Sequence, residues 1–262
     1  MRYVTYWETA PGRAMPAYVA LSLASVQRVL GNQLLLLTPR NTPDYIGRAY
    51  LEKDWQFSGL EFDGCPAITS IVAKSDFIRM AYVYEHGGIW MDADSIMFGD
   101  MRPSMFPEVF DDRLHWFSEA LFGAAPGHPL LGTAVAACLD QQDQRWANPG
   151  DILNKIAEAP DAITTIPRQA VDPGYRPLYN FNTCEVMFDR QIQVEDFLVN
   201  SDIKLLKLYN MYFGRLPIAQ CSVAELLDSG TLLARIFLHI EPDPRYWVEC
   251  TRALRHILET PG

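Results

Sequence analysis

One short segment, the apolar run 89–91 between two glycines and two aspartates, constrains the fold of this chain most. Upstream of it, apolar residues recur at helical spacing until Gly87 and Gly88, which supply the left-handed backbone that ends a helix. The run itself is typical of a buried strand, and Asp92 and Asp94 follow it directly. The sequence therefore predicts a helix, a tight turn and a buried strand that ends in two carboxylates.

The spacing of Asp92 and Asp94 suits a shared ligand. In extended backbone, residues i and i+2 face the same side of a strand, roughly 6.5 Å apart. Both carboxylates would then reach one hard cation such as Mg²⁺ or Mn²⁺, which completes its coordination with water and phosphate oxygens. An isolated Asp-x-Asp is weak evidence, since a chain of this size holds such a triplet by chance about as often as not.

The remaining sequence favours a single α/β domain. A strand at 3–7, a helix at 15–30 and a strand at 34–37 predict a βαβ unit, and a further strand is predicted at 116–122. With 262 residues and 49% hydrophobic content, the chain is large enough for a sizeable core.

Charge and targeting signals narrow the function classes. The net charge of −10 argues against nucleic acid or an anionic membrane as the main partner. The N-terminus lacks a signal peptide, and no run approaches ~18 apolar residues, so we expect a cytoplasmic protein. The five cysteines show no paired spacing and are expected to be free thiols.

The order Ser-Asp-x-x-Arg at 75–79, Gly-Gly, aromatic strand and Asp-x-Asp resembles the sugar-nucleotide motif of glycosyltransferase family 32. It is also similar to related capsular-polysaccharide transferases and to the large glucosylating toxins. The resemblance implies the GT-A fold, an α/β architecture with a Rossmann-like mixed central sheet flanked by helices. It further implies one domain over 1–262, with a nucleotide-sugar-binding part at 1–145 and an acceptor and closing part at 146–262.

The resemblance also implies an activity. The implied activity is that of a metal-dependent glycosyltransferase of hexosyltransferase type. Such an enzyme moves a sugar from a nucleotide-diphosphate sugar to an acceptor hydroxyl, here with retention of configuration. A UDP-sugar donor, a saccharide or glycolipid acceptor, and Mn²⁺ or Mg²⁺ are expected, in polysaccharide or glycoconjugate synthesis. Peripheral membrane association and the oligomeric state stay open.

Carried over from the family motif, Asp94 would be the direct metal ligand, and Asp92 would touch ribose or sugar and the metal shell. These two aspartates are the predicted catalytic residues. Asp76 and Arg79 would hold the donor sugar. Because they lie at i and i+3, an exposed ion pair between them would contribute only ~0.2 to 0.5 kcal/mol, so Arg79→Ala is expected to alter the melting temperature little.

Two further binding residues come from the ends of the chain. Trp7 follows the first predicted strand, at the edge where open α/β sheets bind ligands, and the resemblance implies that it stacks on the nucleotide base. Near the C-terminus, His239 would be a third metal ligand and Trp247 a lid over the donor. The family's Ser-x-Trp is replaced here by residues 245–247, Arg-Tyr-Trp.

Other functions stay open at this point. An apolar strand followed by Asp-x-Asp also matches the nucleophile motif of haloacid-dehalogenase-like phosphatases, in which Asp92 would attack phosphorus. Those enzymes usually carry the motif on their first strand. A sugar-nucleotide-binding protein without turnover, or a purely structural acid pair in a turn, would show the same residues.

Overall fold

The structure is a computed structural model that describes residues 1–9, 13–38, 71–140, 160–171, 182–198 and 203–259. Its residues fall into two compact units, each made of segments that alternate along the chain. Unit 1 comprises Met1–Ala10, Leu34–Asp92 and Arg102–Ile166, and unit 2 comprises Pro11–Gln33, Ala93–Met101 and Pro167–Gly262. The predicted parts 1–145 and 146–262 divide the chain differently, and the single domain stays a prediction.

The described part of the chain contains both strands and helices. The strands are β1 (Tyr3–Tyr6), β2 (Leu34–Leu37), β3 (Gly88–Met91), β4 (Ser95–Met97), β5 (Leu114–Ser118), β6 (Leu121–Ala124), β7 (Ile163–Thr165) and β8 (Leu205–Lys207). The helices are α1 (Ala17–Leu30), α2 (Ile71–His86), α3 (Arg102–Met105), α4 (Pro129–Asp140), α5 (Asn182–Val186), α6 (Val194–Phe197), α7 (Asn210–Phe213), α8 (Val223–Asp228), α9 (Leu232–Ile240) and α10 (Pro244–Glu259).

Unit 1 is built on a six-stranded mixed sheet with the strand order β2-β1-β3-β6-β5-β7. Strand β1 pairs in parallel with β2 and with β3, as the predicted βαβ unit requires. Strands β3, β6 and β5 pair antiparallel, and β7 returns parallel to β5. The helices α2 and α4 pack on each other, and α2 also packs on the sheet. The predicted α/β class with a mixed central sheet and flanking helices is confirmed.

The turn between α2 and β3 is the one that the sequence predicts. Gly87 and Gly88 both have positive φ, at 66° and 115°, and the Gly87 amide donates to the carbonyl of Val83 at 2.8 Å. A Cβ at position 87 would lie 2.7 Å from Cδ of Pro126, so only glycine fits this close approach. The turn carries the chain directly into the central strand of the unit.

The single strand predicted at 116–122 is wrong, because the chain reverses within it. Strand β5 ends at Ser118 and β6 begins at Leu121, and the two form a hairpin. The Ser118 hydroxyl accepts a hydrogen bond from the amide of Ala120 at 3.1 Å, which stabilises the turn without glycine or proline. The sequence therefore contains no glycine or proline that would have predicted this reversal.

Unit 2 contains the two-stranded antiparallel sheet of β4 and β8, with α1 packed against β4 and against the C-terminal helix α10. The hydroxyl of Ser25 in α1 accepts a hydrogen bond from the amide of Met97 in β4 at 2.9 Å. Within the described residues, no helix combines the length and the apolar character needed to cross a membrane.

Candidate active site

The acid pair lies in a turn. Strand β3 ends at Met91, and the Asp92 amide donates to the carbonyl of Ala120 at 2.9 Å, so Asp92 is still attached to the sheet of unit 1. Ala93 and Asp94 form a turn that leads into β4. The extended geometry assumed from the Asp-x-Asp spacing is therefore wrong, and each carboxylate has its own set of partners.

In unit 1, the guanidinium of Arg79 is the centre of a buried cluster. It forms an ion pair with Oδ1 of Asp76, and its Nη1 lies 3.7 Å from Oδ1 of Asp92. The same Nη1 donates a hydrogen bond to the carbonyl oxygen of Glu119 at 2.8 Å. The guanidinium thus links α2, the end of β3 and the β5–β6 turn. Arginine suits this position because its planar group holds several N–H donors in a fixed geometry.

Trp90 completes this cluster and was not identified from the sequence, where it counted only as a strand residue. Its Nε1 donates to Oδ1 of Asp92 at 2.9 Å, and its ring centroid lies 5.8 Å from Cζ of Arg79. The sequence did contain a sign of this contact. Trp90 and Asp92 are two positions apart at the end of a strand, and such residues face the same side. Trp90 therefore orients the Asp92 carboxylate while its ring remains buried.

Exposure separates the roles within this cluster. The Arg79 side chain is 7% exposed, whereas those of Asp76 and Asp92 are 13% and 18% exposed. The assumption that Arg79 lies on an exposed helix face is therefore wrong, because tertiary packing covers the guanidinium, while sugar binding by Asp76 and Arg79 stays a prediction. The two carboxylates are thus the more accessible members of the cluster.

In unit 2, Asp94 has a cation of its own. The ammonium of Lys207, at the end of β8, forms an ion pair with Oδ1 of Asp94, and both side chains are less than a tenth exposed. The backbone amide of Asn210 donates to Oδ2 of Asp94, and the amide of Leu208 donates to its backbone carbonyl at 2.9 Å. Both oxygens of this carboxylate are thus engaged.

A left-handed residue shapes the surroundings of Asp94. Tyr209 has φ 54°, the one positive φ outside glycine among the described residues, and it turns the backbone into α7 so that Asn210 meets Asp94. The Tyr18 hydroxyl donates to Oδ1 of Asn210. Burial, and next the charge of Asp94, raise the pKa of Tyr18 above its ordinary value, which keeps this hydroxyl protonated.

Sequence reasoning missed the partners of Asp94. A signal existed for Lys207, which interrupts the apolar run of Leu205, Leu206 and Leu208, since a lysine in a buried strand needs a partner. Its partner is 113 positions away in the chain, and nothing local identifies Asp94 as that residue.

Trp7 lies just beyond β1 in unit 1, and its amide donates to the carbonyl of Leu37 at 3.0 Å. Its ring is half-buried, and Nε1 donates to the hydroxyl of Thr9 at 2.9 Å. The ring thus keeps exposed surface at the strand end where it was expected, and stacking on a base stays a prediction.

The predicted third metal ligand, His239, and the predicted lid residue, Trp247, both lie in helices. His239 lies in helix α9 with its Nδ1 3.6 Å from Oε1 of Glu195, and about half of its side chain is exposed. Trp247 lies in α10, is fully buried between Phe237 and Tyr246, and donates to the carbonyl of Glu241 at 2.9 Å. Trp247 is a core residue here and does not present a surface to a donor.

The described residues do not bring the predicted metal ligands together. Across the part of the chain that the structure describes, no three His, Cys, Asp or Glu residues form a group that could hold a metal. The predicted ligand set of Asp92, Asp94 and His239 is therefore not assembled. Lys207 and the Asn210 amide already engage both oxygens of Asp94, so the use of Mn²⁺ or Mg²⁺ stays a prediction.

Comparison with known families supports the resemblance seen in the motif. Residues 36–112 match the family described as "Glycosyltransferase sugar-binding region containing DXD motif". This range includes α2, the glycine turn, β3 and the acid pair, so the resemblance to a DXD-motif glycosyltransferase family is confirmed there. No curated protein matches this chain.

The fold is similar to that of two crystal structures of the glycosyltransferase GlyE from Streptococcus pneumoniae TIGR4. One has 15% identity and a TM-score of 0.50 and covers 96% of this chain and 63% of that chain. The other, an apo form, has 14% identity and a TM-score of 0.48, with 97% and 62% covered. This chain thus spans less than two thirds of the length of either structure. At such identity the likeness concerns the fold alone, whereas the family match supports a sugar-transfer role.

Proposed function

We propose that this chain is a glycosyltransferase that moves a sugar from a nucleotide-diphosphate sugar to an acceptor hydroxyl. The bond between the anomeric carbon and the β-phosphate oxygen breaks, and its electron pair leaves with the nucleoside diphosphate. The acceptor oxygen bonds to the anomeric carbon, and the hydroxyl proton is released. The family match at 36–112 supports this class of reaction.

The observation that carries the proposal is the position of Arg79 between Asp76 and Asp92. A donor sugar presents several hydroxyl groups, and each is recognised best by an acceptor whose direction is fixed in advance. Arg79 orients both carboxylates, and their side chains are more exposed than that of Arg79. This chemistry suits a sugar better than a phosphate, which two carboxylates would repel.

The residues then divide the work. Asp76 and Asp92 bind the hydroxyls of the donor sugar, and Arg79 positions them. Trp7 stacks on the base, for which uracil is the favoured identity. Asp94 holds the positive charge that faces the diphosphate of the donor, for which the family motif implies a divalent ion. The hexosyl type, a saccharide or glycolipid acceptor, retention, and a place in polysaccharide synthesis are parts of the same proposal that product analysis must decide.

Asp76→Asn provides the sharpest test of sugar recognition. A hydrogen bond to a charged group is worth roughly 1.5 to 3 kcal/mol, so the variant should bind a UDP-sugar roughly tenfold or more weakly while its affinity for UDP stays unchanged. Isothermal titration of both ligands measures the difference. Asp243→Asn, at an exposed carboxylate paired with the exposed Arg245, is the matched control.

The activity itself is tested by incubating the protein with a panel of nucleotide sugars and saccharide acceptors and identifying products by mass spectrometry. NMR of the anomeric proton in the product then decides between retention and inversion. Equal loss of UDP and UDP-sugar affinity in Asp76→Asn would contradict sugar recognition by this carboxylate. Release of inorganic phosphate from phosphomonoesters, blocked by Asp92→Asn, would instead establish the phosphatase alternative.

A further inference from the structure

The sugar contacts proposed for Asp76 and Asp92 leave the buried ammonium of Lys207 without a role in the reaction. Lysine is rarely buried unless a carboxylate holds it, and here Asp94 does so while an amide binds the second oxygen. A divalent ion that bound Asp94 would have to displace this ammonium and leave it buried beside a second positive charge. Breaking a buried ion pair in this way is strongly unfavourable.

The backbone around the pair favours the same arrangement. The left-handed conformation at Tyr209 is strained for a non-glycine residue and orients the Asn210 amide toward Asp94. The ring of Tyr209 lies 5.7 Å from the ammonium, at a distance suited to a cation–π contact. Asp94 and Lys207 are thus surrounded by groups that bind a carboxylate and an ammonium.

We propose that Lys207, held by Asp94 where a divalent ion would otherwise bind, is a cation of unit 2 that stabilises the diphosphate of the nucleotide sugar. This inference rests on the proposed function and names the group that acts on its leaving group. As the bond to the anomeric carbon breaks, negative charge grows on the β-phosphate oxygen, and a fixed ammonium stabilises it without any further co-reactant. Binding of the nucleoside diphosphate should then not depend on added metal.

The test uses UDP and Mn²⁺ as separate probes in isothermal titrations of the full chain. The wild type should bind UDP equally well in EDTA and in Mn²⁺. Lys207→Met should bind UDP in EDTA roughly tenfold or more weakly, because a charge-assisted contact to phosphate is lost. Added Mn²⁺ should restore part of that affinity, since Asp94 is released from the ammonium.

Two variants keep the result interpretable. Lys204→Met removes the same charge three positions earlier, at a residue that pairs with its neighbours through its backbone amide and carbonyl, and should leave UDP binding unchanged. If Lys207→Met does not fold, Asp94→Asn with Lys207→Met removes both charges of the buried pair and should restore folding. In that background, loss of metal-free UDP binding supports the proposal, and wild-type affinity in EDTA overturns it.

The outcomes also separate this inference from the proposed function. The contrary outcome is that the wild type binds UDP only when Mn²⁺ is present and that Asp94→Asn loses this Mn²⁺-promoted binding. In that case Asp94 is a metal ligand, and the role given to Lys207 is wrong. The glycosyltransferase proposal would survive that result. If no nucleoside diphosphate binds with or without Mn²⁺, both proposals fail together.

Discussion

Replacing Arg79 by methionine should destabilise unit 1 strongly. The substitution keeps most of the side-chain volume but removes the guanidinium from between Asp76 and Asp92, so two partly buried carboxylates lose their counter-ion. It also leaves the Glu119 carbonyl without its charged donor at 2.8 Å. Removing one member of a buried ion pair costs about 3 to 5 kcal/mol, roughly ten times the value of an exposed helix pair.

That free energy corresponds to a fall in melting temperature of roughly 6 to 20 °C, at about 2 to 4 °C per kcal/mol for a domain of this size. Because the protein has two compact units, the effect should be localised by hydrogen exchange. Amides of α2 and β3 should lose protection, whereas amides of α9 in unit 2 should keep theirs.

The control is Arg245→Met, since Arg245 is 85% exposed and its partner Asp243 is also exposed. Exposed pairs of this kind often contribute nothing measurable to stability. If Arg79→Met and Arg245→Met melt at the same temperature as the wild type, the buried cluster does not hold unit 1 together. That result would contradict the proposal that Arg79 positions the carboxylates of Asp76 and Asp92 for ligand binding.

Two further predictions concern residues outside this cluster. Trp247→Ala should lower the free energy of unfolding by roughly 3 to 5 kcal/mol in a chemical denaturation series, because a fully buried aromatic residue is removed, while UDP affinity below the melting temperature stays unchanged. A selective loss of UDP affinity in the folded variant would instead support the prediction that Trp247 is a lid over the donor. Burial lowers the pKa of His128 below its ordinary value of 6.5, so the unfolded state binds the proton more readily and stability should fall as the pH drops below about 6.5. His128→Gln should remove this component when unfolding is measured between about pH 5 and 8, and an identical pH profile in both proteins would contradict it.

The parts of the fold that were predicted correctly are those with local physical signals. Helix α1 has apolar residues at helical spacing, and β3 follows a glycine turn that its backbone requires. The hairpin of β5 and β6 was missed because a serine hydroxyl stabilises its turn. Helix α10 was not predicted, although Pro244 is its first residue, a position where proline is tolerated because the missing amide proton would have no helical partner.

The site shows a different limit. The sequence identified Asp76, Arg79, Asp92 and Asp94 as a group, because the motif lies within twenty residues of chain. It could not show that packing buries Arg79, since an i, i+3 pair looks the same on a covered and on an exposed helix face. Nor could it pair Asp94 with Lys207, because the partner of a buried charge is set by tertiary contacts between distant segments.

Two aspartates of identical chemistry, separated by one alanine, therefore have different environments. Asp92 is held by Arg79 and Trp90 and keeps 18% of its side chain exposed, whereas Asp94 is 5% exposed with both oxygens engaged. A partly exposed carboxylate that is already oriented can accept a hydrogen bond from a ligand with little rearrangement, whereas a buried and paired one can change partners only if the pair is broken. The two substitutions to asparagine should accordingly differ in kind. Asp92→Asn should act on ligand affinity, and Asp94→Asn should act first on the stability of unit 2, because it leaves the ammonium of Lys207 buried without its counter-ion.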